Sequence, residues 1–223
     1  MRSLFTVAKA NSPAILFFDE VDYLIPTRST DEASFDRRAK NQLLGLFSKL
    51  AKDASVLIMG ATNRPWDVDS AFLSRFQQRA FFDLPSHDAK RRMLVRALHK
   101  DRHVLAERDF EALAQVEGYT AWSGRDIEAG LGKLRFAKLK ELMRSSVFAP
   151  VGGSDQWEPC LPSHPLAKRQ PFKEWVVTDL VPSAITKANL ISVLNKIMPS
   201  TTDEELSQHR AWAHKHDTSM DGC

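Results

Sequence analysis

The run Ala14–Asp22, AILFFDEVD, sets the strongest limit on what this chain can fold into. Five consecutive apolar residues lead straight into three carboxylates within four positions, Asp19, Glu20 and Asp22. A short strand with apolar side chains on both faces calls for cover on both, as in a parallel sheet buried under helices. Ser55–Met59 (SVLIM) and Arg79–Leu84 (RAFFDL) read as second and third strands. Ser34–Leu50 returns to helical spacing, with Leu43, Leu44, Phe47 and Leu50 as its apolar stripe. Residues 2–10 place Leu4, Phe5 and Ala8 on one helical face, and Pro13 stops that helix. Strand, helix, strand in this rhythm predicts an α/β class, a parallel sheet with helices on both faces.

The texture changes after Pro85. Ser86 can cap a helix through Met93, Leu94 and Leu98, and Asp109–Val116 and Asp126–Arg144 read as further helices. In the last of these, Lys133, Arg135, Lys138, Lys140 and Arg144 fall largely on the solvent side. Only one aromatic residue, Phe136, falls among them, short of the successive stacking positions that binding to a single nucleic-acid strand would need. Residues 150–175 are proline-rich and aperiodic, a loop or short hairpin insertion. Thr201 with Glu204 makes a capping box for a final helix. The expected organisation is a partial large domain at 1–85, a helical lid at 86–148, a loop or β insertion at 149–182, and C-terminal lid helices at 183–223.

Composition excludes several function classes. Lys and Arg exceed Asp and Glu by 31 to 28 over 223 residues, a net charge of +3 that makes no electrostatic case for a nucleic-acid partner. Cys160 and Cys223 are too few and too far apart for a disulfide framework or metal knuckle, which fits a reducing, intracellular setting. No stretch approaches the ~18 apolar residues of a membrane helix. The first eighteen residues carry Arg2 and Lys9 but no acid, as a transit peptide would, yet they read better as a helix and strand of the fold. His209, His214 and His216 stand at spacings that do not put three ligands on one helix face, so a solvated helix is expected there. Cys160, in a polar loop, is assigned no chemistry.

The acids at the strand end are better placed for chemistry. In open parallel sheets, ligands bind beyond the carboxyl ends of the strands, which is where Asp19 and Glu20 fall. A carboxylate pair suits a hydrated Mg²⁺, which prefers oxygen ligands and keeps most of its waters. One acid can hold the ion through water while its neighbour orients an attacking water, the division of labour that phosphoryl transfer needs. Asn63, just past the second strand, can aim an amide at the same water or phosphate. The combination reads as a magnesium–nucleotide site.

At this point a family resemblance becomes specific. PAILFFDEVDYL resembles the Walker B strand of the AAA ATPases, and SVLIMGATNRPWDVDSAFLSRFQQRAFFDLP resembles their second region of homology, with the sensor asparagine at Asn63. VEGYTAWSGRDIEAG is similar to their sensor-2 helix region. Within the family the chain looks most like the meiotic clade: the endosomal-sorting (vacuolar protein sorting) ATPase, then katanin, spastin and fidgetin. EASFDRRAKNQLL is similar to that clade's pore-loop-2 segment, and KIMPSTTDEELSQHRAWAHKHD resembles its C-terminal helix. WEPCLPSHPLAKRQPFKEW resembles the β domain of the endosomal-sorting enzyme, whereas Trp212 is more like the severing enzymes.

The resemblance implies roles. Asp19 matches the magnesium-associated acid, acting through water, and Glu20 the water-activating base. Asn63 matches sensor 1, and Arg75 a trans-acting arginine finger. Gly124 and Asp126 match the sensor-2 region near the nucleotide. The implied protein is a cytoplasmic homo-hexameric ring using ATP and Mg²⁺, peripheral at endosomal membranes through its partners, that disassembles ESCRT filaments. A microtubule-severing ATPase acting on tubulin is one alternative, and a non-catalytic interaction subunit another.

Two departures stand beside these matches. None of the nine glycines begins the phosphate cradle G-x-x-x-x-G-K-S/T. The clade's paired arginines are reduced to one in Leu73-Ser74-Arg75-Phe76, and Ser74 cannot supply a guanidinium's charge. In the family the P-loop strand lies between the strand ending at Asn63 and the strand 79–84. The expectation is therefore a fragment of a longer protein or a truncated gene model, with unpaired strand edges and an uncovered apolar face.

Overall fold

The computed structural model describes residues 2–27, 34–50, 55–116 and 121–216, which divide into two compact units, 1–82 with 208–223, and 83–207. In the first unit, helix α1 (Arg2–Ala10) leads into strand β1 (Ala14–Phe18). The short helix α2 (Val21–Leu24) follows, then α3 (Ser34–Leu50), β2 (Val56–Gly60) and α4 (Ser70–Leu73). Strands β1 and β2 run parallel in register, from Ala14 opposite Val56 to Phe18 opposite Gly60. The α/β class expected from the two apolar runs is what forms.

Alternation along the strands decides where the core sits. Leu16, Phe18 and Val56 point into a cluster with Phe5 and Ala8 of α1 and Leu43, Leu44 and Phe47 of α3. Five phenylalanines interlock there, with the Phe47 ring between 4.5 and 6.5 Å from those of Phe5, Phe18, Phe72 and Phe76. The other face is open. Ile15 is 67% and Phe17 57% exposed, and Leu57 and Met59 of β2 are exposed beside them. Cover on both faces, expected from the continuous apolar runs, is therefore not found among the described residues; the open face is the uncovered apolar face expected from the missing phosphate-cradle strand. Both helices that pack on this sheet join the cluster on the Leu16–Phe18 side.

The expected third strand is also corrected. Residues 79–84 form no strand, and Phe82 is 91% exposed. Apolar, β-prone residues become a strand only by hydrogen bonding to a neighbour, and no described residue offers one there. The exposed face makes a testable statement about the chain in solution. It is expected to enhance the fluorescence of a hydrophobic dye such as ANS in native buffer. The double substitution Ile15→Thr, Phe17→Thr is expected to lower that signal while changing unfolding free energy by no more than about 0.5 kcal/mol. Undiminished fluorescence would show that this face is not the dye's site.

The second unit is helical with a small antiparallel sheet. Helices α5 (His87–Leu98), α6 (Glu107–Ala114) and α7 (Gly124–Arg144) are followed by strands β3 (Val147–Pro150), β4 (Trp157–Pro159) and β5 (Lys168–Arg169). Helix α8 (Lys187–Leu194) comes next, and α9 (Asp203–His216) starts in this unit and ends in the first. Ser86 caps α5 as expected, its Oγ accepting the Ala89 N–H at 3.3 Å. The α9 box sits one residue later than expected. Thr202, not Thr201, caps the helix, with its N–H given to Glu205 Oε2 at 3.0 Å and its Oγ1 accepting the Glu205 N–H at 3.2 Å. Thr201 and Thr202 each have an acid three positions on, so sequence spacing cannot separate them; the helix begins at Asp203 and selects the second.

The basic face of α7 is only partly solvated. Lys138 is buried, donating to Ser183 Oγ at 2.8 Å and to Glu141 at 3.1 Å, and Arg135 pairs with Asp101 at 2.8 Å. In α9, His209 does not lie on a freely solvated face. It is half-buried, its ring 4.8 Å from Trp66 and stacked 6.3 Å from Phe81. No helix among the described residues is long and apolar enough to cross a membrane.

Candidate functional site

Because β1 and β2 are parallel neighbours, their carboxyl ends open on the same sheet edge. Asp19 follows Phe18, and Asn63 lies three residues past its partner Gly60. The ladder continues beyond the strands, with Ala61 N–H given to Phe18 O at 2.9 Å and Val21 N–H to Ala61 O at 3.0 Å. Asp19, Glu20 and Asn63 are thus carried on two tied backbones, and all three side chains are exposed at that edge. Gly60 fits closely here. A Cβ on it would meet the Phe76 ring and Val21 Cγ1, each at 3.1 Å.

The acid triplet does not act as one group. Asp19 and Glu20 face solvent, while Asp22 is buried and accepts the Thr62 hydroxyl at 2.5 Å. Thr62 Oγ1 in turn accepts the Arg64 N–H at 2.9 Å, closing a turn around Asn63. Asp22 therefore braces the Asn63 loop, a role that the sequence motif does not reveal, because a buried carboxylate and an exposed one are spelled alike. Glu20 carries a second local signal. Its backbone is left-handed, at φ 51° and ψ 50°, and Asp19 Oδ1 accepts its N–H at 2.9 Å. A non-glycine residue at positive φ costs about 1 kcal/mol or more and tends to mark functional turns.

Arg75 departs from the outward-reaching finger that the motif implies. Its guanidinium is half-buried, with Nε donating to Ser48 Oγ at 2.8 Å and a terminal nitrogen donating to Ala71 O. Ser48 Oγ itself donates to Leu44 O at 2.9 Å. Any action on a neighbouring subunit requires Arg75 to exchange these bonds for new ones. Ser74 is turned back on its own helix, donating to Ala71 O at 3.0 Å.

Gly124 and Asp126 belong to the second unit, at the start of α7. A Cβ on Gly124 would come within 2.7 Å of Met93 Cε, so this glycine lets the Met93 tip close over the helix start. Asp126 is 5% exposed, and one carboxylate oxygen gathers four hydrogen bonds. Oδ2 accepts the Ser123 N–H at 2.9 Å and hydroxyl at 2.7 Å, and the Ser200 N–H at 3.3 Å and hydroxyl at 3.1 Å. Burial alone would raise this carboxyl group, but the bonds from Ser123 and Ser200 outweigh it and hold it below the ordinary carboxylate range. The residue matched to a nucleotide-sensing position is, in this structure, a structural clasp.

Among the described residues no three His, Cys, Asp or Glu side chains converge on a metal position. The exposed pair Asp19–Glu20 offers hard oxygen donors, which suit a magnesium ion held mostly by waters and phosphate oxygens. Cys160 is half-buried, and burial followed by the Glu158 charge raises its thiol.

Comparison with known proteins converges on one family. Residues 1–84 match the model of the ATPase family associated with various cellular activities (AAA), and residues 157–216 match the Vps4 C terminal oligomerisation domain. The chain is 31% identical over 222 residues to SUPPRESSOR OF K(+) TRANSPORT GROWTH DEFECT 1 of Arabidopsis thaliana, covering 96% of this chain and 50% of that protein. It is 28% identical over 218 residues to Vacuolar protein sorting-associated protein 4B of Mus musculus, covering 92% and 48%. Against Spastin of Danio rerio it is 36% identical over 154 residues, covering 66% and 26%. The chain thus spans about half the length of the first two of these relatives. Among solved structures, the FIGL-1 AAA domain in complex with ADP superposes with a TM-score of 0.71 at 22% identity, covering 97% of this chain and 62% of that one, a likeness of fold.

Proposed function

The chain belongs to the Vps4-like AAA ATPases, and from that premise we propose that it serves in a ring that hydrolyses ATP to disassemble ESCRT filaments. The observation carrying this reading is the β1–β2 edge, where Asp19, Glu20 and Asn63 emerge from two strands braced by Thr62 and Asp22. In this proposal Glu20 accepts the proton of the attacking water, while the Asn63 amide orients that water and the γ-phosphate. Magnesium, when bound, would be held through water by Asp19 and would neutralise phosphate charge. Arg75 leaves Ser48 and Ala71 to reach the site of the adjacent subunit, where a guanidinium stabilises transition-state charge. The match to an oligomerisation domain supports self-assembly, for which the family resemblance gives a hexamer. The ring would work in the cytoplasm, brought to endosomal membranes by its partners.

The site's division between subunits is open to a mixing experiment in a preparation whose unaltered ring turns over ATP. Glu20→Gln and Arg75→Ala subunits are each expected to be inactive alone. Mixed one to one, they are expected to recover about a quarter of the original turnover, since only a junction of intact Glu20 with intact Arg75 is complete. No recovery in the mixture refutes the shared site. Co-sedimentation with ESCRT filaments rather than microtubules tests the choice of polymer.

A second reading, a docking subunit that does not use nucleotide, is favoured by the inward bonds of Arg75. Titration with magnesium-ATP of an assembled ring that contains this chain, read as nucleotide occupancy of this chain's own site, separates the two.

A further inference from the structure

The clasp around Asp126 contains a group that the proposed chemistry does not use. Ser200 lies in the irregular segment between α8 and α9 and is exposed, yet its hydroxyl and its N–H both donate to a carboxylate that is 5% exposed. Its Oγ also lies 3.3 Å from Ser123 Oγ, the cap of α7. One accessible hydroxyl therefore fastens the segment before α9 to the start of α7. The sequence that follows is Thr201-Thr202-Asp203-Glu204-Glu205, and no Lys or Arg occurs between Lys196 and Arg210. Carboxylates three to five positions after a serine suit the basic substrate groove of an acid-directed kinase, where charge pattern sets specificity.

We propose that Ser200 is a phosphorylation site for an acid-directed protein kinase, and that phosphate there opens the Asp126 clasp. In the transfer, Ser200 Oγ forms a bond to the γ-phosphorus of ATP held by the kinase. The bond from that phosphorus to the β–γ bridging oxygen breaks, ADP leaves, and the hydroxyl proton passes to the kinase's base. The product places close to two negative charges against the Asp126 carboxylate and removes the donor that held the two together. At such separations like charges repel strongly even near a surface, and a buried carboxylate cannot turn away into water. The neighbouring hydroxyls do not share this position. Thr202 Oγ1 accepts the Glu205 N–H as the α9 cap, where a phosphate would favour the helix N-terminus instead. No bond to Asp126 involves Thr201 or Thr202 in the clasp described above.

The test uses the full chain, casein kinase 2 and magnesium-ATP, with the modified residue located by fragmentation mass spectrometry and the clasp followed by amide hydrogen exchange. Phosphate is expected on Ser200, with exchange at the Ser123 and Ser200 amides accelerated by about tenfold or more. Ser200→Ala is expected to block that modification and leave Ser123 exchange within about threefold of the unmodified protein, since the Ser123 bonds to Asp126 remain. Ser200→Asp, at an exposed position, should reproduce part of the acceleration. In an Asp126→Asn background the increment caused by phosphate should vanish, isolating the charge pair. Phosphate confined to Thr201 or Thr202, no incorporation at all, or phospho-Ser200 with unchanged Ser123 exchange each overturns the proposal.

Discussion

Glutamine in place of Glu20 is expected to leave nucleotide binding intact and to cut ATP turnover by about 10²–10⁴-fold, the usual worth of a positioned general base. The substitution keeps the shape and exposure of the side chain and removes only its capacity to take a proton. The left-handed backbone at residue 20 is unchanged by it, since Glu and Gln carry the same Cβ constraint. Stability should therefore stay within about 0.5 kcal/mol, as for other exposed positions. Steady-state turnover and nucleotide affinity of a ring that contains this chain are the measurements. Equal loss of binding and turnover would mean that Glu20 holds the nucleotide, and unchanged turnover would remove it from the chemistry.

Alanine at Phe47 is expected to destabilise the first unit by about 3–5 kcal/mol, as for other large buried aromatic truncations. Phe47 is 2% exposed and touches four other phenylalanine rings, from α1, β1, α4 and the turn after α4. Those partners come from separated parts of the sequence and cannot all close on the cavity. Native stabilities are only about 5–15 kcal/mol, so such a loss approaches unfolding. Phe17→Ala supplies the contrast, from the same sheet and the same residue type but the open face, and should cost less than about 1 kcal/mol. Urea unfolding of both variants measures the difference. Equal losses at Phe17 and Phe47 would contradict the placement of the core on one face.

Several of these placements share one cause. Ile15 and Phe17 look as buried as Leu16 and Phe18 when only composition is read, because a run of apolar residues reports what could be covered, not what is. Residues 79–84 have strand composition but no strand, since a ladder belongs to two segments and one of them cannot form it. Arg75 and Asp126 occupy motif positions, yet their partners Ser48 and Ser200 lie 27 and 74 residues away. Local spacing carries no trace of such contacts. The left-handed turn at Glu20 is hidden for a related reason. Glutamate has no strong preference for that conformation, so only the ties around it impose it.

What the chain's sequence determined alone was local: which stretches repeat at helical period, which are apolar enough for β1 and β2, where Ser86 caps a helix, and which motifs follow one another in order. Each follows from interactions within about one turn of helix or one strand, whose energetics neighbours in sequence largely set. Tertiary structure decided everything that needs two distant segments at once: the parallel register that opens Asp19 and Asn63 on one edge, the Asp22–Thr62 brace, the one-sided core and the Asp126 clasp. Burial and hydrogen bonding are properties of pairs, so the same carboxylate becomes a solvent-facing acid at residue 19 and an internal tie at residues 22 and 126.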